Sequence, residues 1–330
     1  MLEPTLQQPT VDASVLDIDL EAEATRIADW IRVSTSRQLH KRGLVVAISG
    51  GIDSSVCAAL AVRAVGADKV YGLLLPETDS SPRSEQLGRA LAAHLGIEFE
   101  RHDIAPALDA LGCYRQRDAA VRNVFPDYGA GWKSKIVISG GLQGGINFFK
   151  LVVQAPGGDI QEARLPLGDY LQIVAATNHK QRVRKSLEYY HADRLNRAVV
   201  GTPNRLEYDQ GFFVKNGDGS ADIKPIAHLF KSQVYAMARH LGLPADICNT
   251  TPTTDTYSLP QGQDEFFFSL PYAQMDLALW AHDHGVDAQA MGRALGVESA
   301  QAEAVYADIK AKRQAAVYLH AAPLLLKPGL

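Results

Sequence analysis

The sequence predicts an α/β chain of the doubly wound kind: a parallel sheet flanked by helices, carrying a β-rich insertion. Short apolar runs alternate with helical stripes from Leu44 to His102, and the alternation resumes from His179 to Leu241. Close spacing of strand and helix means right-handed βαβ units, and hence parallel strands. The segment from about 112 to 170 breaks the rhythm with weak alternation and many glycines, which gives the insertion.

Composition narrows the function classes. An apolar share of 46% and a charged share of 21% describe an ordinary globular chain. The net charge of −4 argues against non-specific nucleic-acid binding. No apolar run approaches the roughly 18 residues that span a bilayer, and the N-terminus has no charged-then-apolar leader. Cys57, Cys113 and Cys248 are odd in number and far apart, so they read as reduced, buried small hydrophobes of a cytoplasmic protein.

In chain order, residues 1–16 form a loose arm, and residues 17–330 form one domain without repeat or linker. Leu20, Ala24, Ile27 and Ile31 lie on one helical stripe, with Asp17 and Asp19 at its start and Gly43 past its end. Leu44–Ile48 is the first buried strand, and a small-residue helix from Val56 to Val65 follows it. Lys69–Leu75 and Ile97–His102 are further strands, with a Leu87, Leu91, Leu95 helix between them. Within the insertion, turns fall at Gly140-Gly141, Gly144-Gly145 and Gly157-Gly158; Ser139-Gly140-Gly141 reads as a hairpin turn. Then come a helix His179–Asn196, a strand Ala198–Gly201, a helical turn Asn204–Tyr208, a loop Gly211–Pro225 and a helix Leu229–Leu241. Thr250–Leu270 reads as a mobile lid, and 272–285 and 297–320 are amphipathic helices of a helical C-terminal part.

The chemistry starts where the first strand breaks into Ser49-Gly50-Gly51-Ile52-Asp53-Ser54-Ser55. A strand that opens through glycines into a helix presents bare backbone N–H groups and the positive end of the helix dipole, a ready anion site. Asp53 beside such a cradle would repel a phosphate unless a divalent cation lies between them, which implies Mg²⁺. The loop lacks Walker A spacing and its lysine. It resembles instead the pyrophosphate loop of the N-type ATP pyrophosphatases.

A second polar set occupies 178–231. Asn178, Lys180, Arg182, Arg184 and Lys185 crowd the expected helix start, where cations oppose the dipole and so suit a bound anion. Gly201-Thr202-Pro203-Asn204-Arg205-Leu206-Glu207 is again strand into glycine into helix, bringing Glu207 within plausible reach of Asp53 as a second magnesium carboxylate. Lys215 to Asp222 sets a lysine and two carboxylates, Asp218 and Asp222, around two glycines; EF-hand spacing is absent. Lys231 opens a helix from which it could reach transferred phosphates.

SGGIDSS, NHKQRVR (178–184), GTPNRLE (201–207), GFFVKNGDGSADIKPI (211–226), FKSQ (230–233) and PTTDTY (252–257) together resemble the NAD synthetase family. The likeness covers roughly 20–110 and 172–320 and implies a Rossmann-like, adenine nucleotide alpha hydrolase-like fold. It implies adenylation of deamido-NAD by ATP, then attack by ammonia to give NAD, AMP and pyrophosphate. On it, Ser49, Gly50, Gly51, Asp53, Ser54, Ser55, Thr202, Lys231 and Thr253 bind ATP, and Asp53, Glu207 and Thr253 face Mg²⁺. Asn178, Arg182, Lys215, Asp218 and Asp222 line the deamido-NAD and ammonia side, with Lys231, Asp218 and Asp222 as catalytic candidates. The family is dimeric, so a homodimer is expected. No glutaminase half fits in the length, so free ammonia or a separate supplying protein is the nitrogen source. An amide ligase acting on another carboxylate and a non-catalytic nucleotide binder are the alternatives.

Overall fold

The computed structural model describes residues 11–139, 148–250, 257–262, 267–268 and 270–326. Helix α1 (Leu20–Val33) is capped by Asp19, whose Oδ1 accepts the Ala22 N–H at 3.0 Å, and it buries Ala24, Ile27 and Ile31. Strand β1 (Leu44–Ala47), α2 (Ile52–Val65), β2 (Val70–Leu74), α3 (Pro82–Leu95) and β3 (Glu98–Arg101) follow as two βαβ units. After α4 (Ala105–Ala110) and α5 (Cys113–Val124), the insertion forms β4 (Lys133–Ser139), β5 (Phe148–Gln154) and β6 (Ile160–Arg164). A long helix α6 (Leu167–Leu195) returns the chain to β7 (Ala198–Val200) and the short α7 (Arg205–Gln210). Helices α8 (Lys231–His240), α9 (Ala245–Cys248), α10 (Tyr272–Asp283), α11 (Ala288–Leu295) and α12 (Ser299–His320) complete it.

The main sheet has the order β3-β2-β1-β7, all parallel, with Leu44 in register with both Val70 and Ala198. Its central strands are covered on both faces, which is why they read as apolar runs rather than as alternation. Leu44 and Val46 pack with Ile31, Val56, Leu60 and Met237 on one side; Val45 packs with Leu73, Leu108 and Ala192 on the other. Because β2 and β7 flank β1 on opposite sides, the loops leaving β1 and β7 diverge and open a crevice at their carboxyl ends.

The insertion differs from its expectation at both ends. Residues 113–124 are helix α5, and the helix expected from His179 already begins at Leu167. Between them lies an antiparallel three-stranded sheet, β4-β5-β6, turned at Gly158, whose φ is +94°. Ile136, Leu151 and Val153 of this sheet share a small core with Val121 of α5 and Ile173 of α6. A further helix, α11, lies between the two expected at the C-terminal end. The expected turns at 140–141 and 144–145 lie outside the described residues, as do the first ten residues and much of the expected lid. Cys57, Cys113 and Cys248 are free and buried.

Candidate active site

The crevice begins with Gly50, whose φ is +81°; a Cβ there would meet the Ser84 carbonyl oxygen at 2.3 Å, so only glycine fits. Hydroxyls tie the loop to itself: Ser49 Oγ accepts the Gly51 N–H at 3.2 Å, and Ser54 and Ser55 donate to the Gly51 carbonyl at 3.1 and 2.8 Å. Helix α2 starts at Ile52 behind Gly51, with no side chain capping it, so its first-turn N–H groups face the crevice.

Asp53 in that first turn is held from two directions. Lys231, the first residue of α8, forms an ion pair with its Oδ2, and Asn204 Nδ2 donates to its Oδ1 at 3.0 Å. Asn204 is also the N-cap of α7: its Oδ1 accepts the Glu207 N–H at 3.1 Å, and Glu207 Oε2 accepts the Asn204 N–H at 3.2 Å, a capping box. Lys231 is aimed in turn by buried Asp276 of α10, which accepts the N–H groups of Lys231 at 3.3 Å and Ser232 at 2.8 Å.

Charge density in this corner is high. Burial, then the negative charge of Asp53, hold the Glu207 carboxyl well above the usual carboxylate range, against the pull of Lys231. Burial works against the Lys231 ammonium, but Asp53 and Glu207 outweigh it and raise its pKa. Asp276 is pushed up to about 6 by burial, with its two backbone donors opposing the rise.

A cavity of about 1070 Å³ opens from this corner. Of the sequence candidates, Ser49, Gly50, Gly51, Asp53, Ser54, Asn178, Thr202, Glu207, Asp218 and Lys231 line it together. Asp218 is exposed at the cavity, and its Oδ1 accepts the Val214 N–H at 2.7 Å. Four candidates are engaged elsewhere. Ser55 is buried behind the loop; Asp222 Oδ2 accepts the Val199 N–H at 2.7 Å; Arg182 Nε donates to the Lys215 carbonyl at 3.3 Å. Lys215 donates to the carbonyls of Tyr318 and Ala321 at 2.7 and 3.1 Å, closing the C-terminus of α12. Thr253 lies outside the described residues.

Asn178, Lys180, Arg182, Arg184 and Lys185 sit in the middle of α6, not at a helix start, so no helix dipole opposes them there. Lys180 is buried and meets Glu77 Oε1 at 3.1 Å and Asp79 Oδ2 at 2.6 Å on the loop after β2. Arg117 Nη1 donates to Asp79 Oδ2 at 2.5 Å, and Tyr114 to Glu77 Oε2 at 2.8 Å. These anions belong to the protein itself. They pin the loop whose Thr78, Ser80 and Ser81 form another side of the cavity. Asn204 and Asp276 were missing from the candidates: the first was readable as a capping box, the second only from long-range packing.

A hydroxyl-lined anion cradle, a carboxylate pair and a buried lysine at the switch point of a parallel sheet define a nucleotide-handling α/β enzyme. A model of the NAD synthase family matches residues 23–124 and 151–315. The NH(3)-dependent NAD(+) synthetase of Rhizobium meliloti (strain 1021) is 58% identical over 99% of this chain and 98% of its own length. The protein of the same name from Mesorhizobium japonicum is 55% identical over 94% and 98%. This chain therefore belongs to the NAD synthase family, and it is a ligase. Solved structures agree on the fold. An NH3-dependent NAD synthetase from Campylobacter jejuni superposes with a TM-score of 0.61 at 20% identity, over 94% of this chain and all of that one. An NMN synthetase from Francisella tularensis gives 0.58 at 23% identity, over 95% and 100%.

Proposed function

We propose that this chain amidates the nicotinate carboxylate of deamido-NAD with ammonia, using ATP and passing through an acyl-adenylate, to give NAD, AMP and pyrophosphate. The observation that carries this reading is the convergence of Asp53, Glu207 and Lys231 on the α2 anion cradle, in a chain 58% identical throughout to an ammonia-dependent NAD synthetase.

A carboxylate resists attack by ammonia until its oxygen becomes a leaving group, and adenylation supplies one. The protein's share is positioning and charge neutralisation. The α2 N–H groups with Ser49, Gly50, Gly51 and Ser54 receive the phosphates, and Thr202 meets the nucleotide from β7. Lys231 neutralises charge that builds on the α-phosphate and the departing pyrophosphate. Asn178 and Asp218 serve the acid and ammonia side, with Asp218 offered to the ammonium ion. The donor set fits Mg²⁺: Asp53 and Glu207 present hard carboxylate oxygens to one cavity. When bound, the cation neutralises the repulsion between these carboxylates and the triphosphate.

A homodimer, a cytoplasmic location and an outside supply of ammonia complete the reading; among the described residues no helix is long and apolar enough to cross a membrane. The deciding experiment incubates the purified chain with ATP, Mg²⁺ and ammonium, and with either deamido-NAD or nicotinate mononucleotide. NAD and AMP in equal amounts from deamido-NAD are expected. Turnover of the mononucleotide alone would replace the acid substrate. Sedimentation of the same sample tests the dimer.

A further inference from the structure

Strand β4 and the first residues of β5 fall between the two stretches that the family model matches, yet they form part of the cavity wall. Lys133 and Ile138 of β4 and Phe149 of β5 line it, as do Tyr170 and Val174 of α6. Ile138 and Phe149 are paired and share one face of the sheet, while Lys133, five residues before Ile138, falls on the other. Phe149 and Tyr170 stack with ring centroids 4.1 Å apart and planes 17° apart. The wall is also tied to residues 258–261, which line the same cavity. Ser134 N–H donates to Ser258 Oγ at 2.8 Å, Leu259 N–H to the Ser134 carbonyl at 3.2 Å, and Gln261 to the Ile136 carbonyl at 2.5 Å. Lys133 is exposed and carries no ion pair among the described residues.

Helix α6 gives this wall its direction. Tyr170, Val174, Asn178, Gln181, Lys185 and Glu188 all face the cavity, about 27 Å of helix at the ordinary rise per residue. A mononucleotide does not fill that length. The polar end carries Lys185 and Glu188, and Asp218 and Glu207 line the same cavity. The far end is aromatic and apolar.

We propose that the inserted sheet is a subsite for the adenylate half of the dinucleotide acid. Its adenine lies against the Phe149–Tyr170 pair; the inference rests on the function proposed above. The insertion thereby selects a dinucleotide over a mononucleotide through contacts remote from the chemistry.

Steady-state kinetics of Phe149→Leu, Phe149→Ala and Lys133→Ala test it with deamido-NAD and nicotinate mononucleotide as acids. Phe149→Leu keeps apolar volume and Lys133→Ala changes an exposed side chain, so folding does not confound them. The KM for deamido-NAD is expected to rise roughly tenfold in the Phe149 variants and to stay within about twofold in Lys133→Ala, whose side chain leaves β4 on the other face. The kcat, the KM for ATP and the kinetics with the mononucleotide should stay within about twofold. An unchanged KM for deamido-NAD in the Phe149 variants overturns the subsite. So does an equal rise for the mononucleotide, or a rise for ATP in its place. If the wild-type chain makes no NAD from deamido-NAD, the parent reading falls and this one with it; wild-type turnover with indifferent Phe149 variants removes the subsite alone.

Discussion

Asn204 and Asp53 are joined Nδ2 to Oδ1 across 3.0 Å, linking the strand end of β7 to that of β1. The same Asn204 caps α7 with its other side-chain atom. Replacing it by aspartate keeps an acceptor for the cap and sets a third carboxylate against Asp53; replacing it by alanine removes both bonds. Asn204→Ala should lose about 1–2 kcal/mol of stability for the cap. Asn204→Asp should keep more of that stability yet bind ATP more weakly than Asn204→Ala does. Chemical denaturation and nucleotide titration separate the two effects. Equal ATP affinities would remove the coupling between cap and charge.

Lys231 is buried against Asp53, with the Tyr272 ring 5.3 Å from its ammonium. Lys231→Met should lower kcat by about 10²–10³, the usual loss when one preorganised donor is withdrawn from developing charge. The KM for deamido-NAD should change little. A loss confined to KM would make the lysine a binding group only.

Asp218→Asn should raise the apparent KM for ammonia roughly tenfold, as loss of a hydrogen bond to a charged group predicts, and leave that for ATP within about twofold. Initial rates against ammonium at fixed ATP are the measurement. An unmoved ammonia KM would take the ammonium role from Asp218.

Asp276 carries a pH signature. Its folded pKa, about 6, stands above the ordinary 3.8, so the folded chain holds the extra proton between these values and loses stability as pH rises through them. Asp276→Asn removes that titration while it weakens the hold on the Ser232 and Lys231 N–H groups. The variant's deficit against the wild type should therefore narrow by about 2–3 kcal/mol between pH 4 and pH 7. A deficit that stays constant with pH would show that Asp276 does not titrate in this window.

Lys180 sits buried between Glu77 and Asp79. Lys180→Met should cost about 3–5 kcal/mol of stability, since it leaves carboxylates buried without their cation. The loop it releases contributes Thr78, Ser80 and Ser81 to the cavity, so the KM for ATP should rise as well. Urea titration and ATP kinetics check both; a fully stable variant would show that Arg117 holds the loop alone.

What could be read without coordinates was whatever sequence neighbours decide. The breaks of β1 into Gly50 and of β7 into Gly201, each opening a helix, are local events, so the loop and Glu207 are legible. The sequence places the start of α6 too late because its first turns, around Gly168 and Tyr170, pack on the insertion rather than on the main sheet. Helix α5 hid behind Gly112 and a run of charges that alternates weakly. Lys215 and Asp222 keep motif spacing but spend their polar atoms on the backbone of α12 and β7, and only tertiary contacts disclose that. Asp276 meets Lys231 from a separate helix, and no local pattern marks such a meeting.

The ion pair of Lys231 with Asp53 spans 178 positions, and the buttress at Asp276 comes another 45 later. A ribosome thus delivers the glycine cradle long before the countercharge that tunes it. Nucleotide grip is a late acquisition of the nascent chain, so ATP has little to offer as a folding template for its first half.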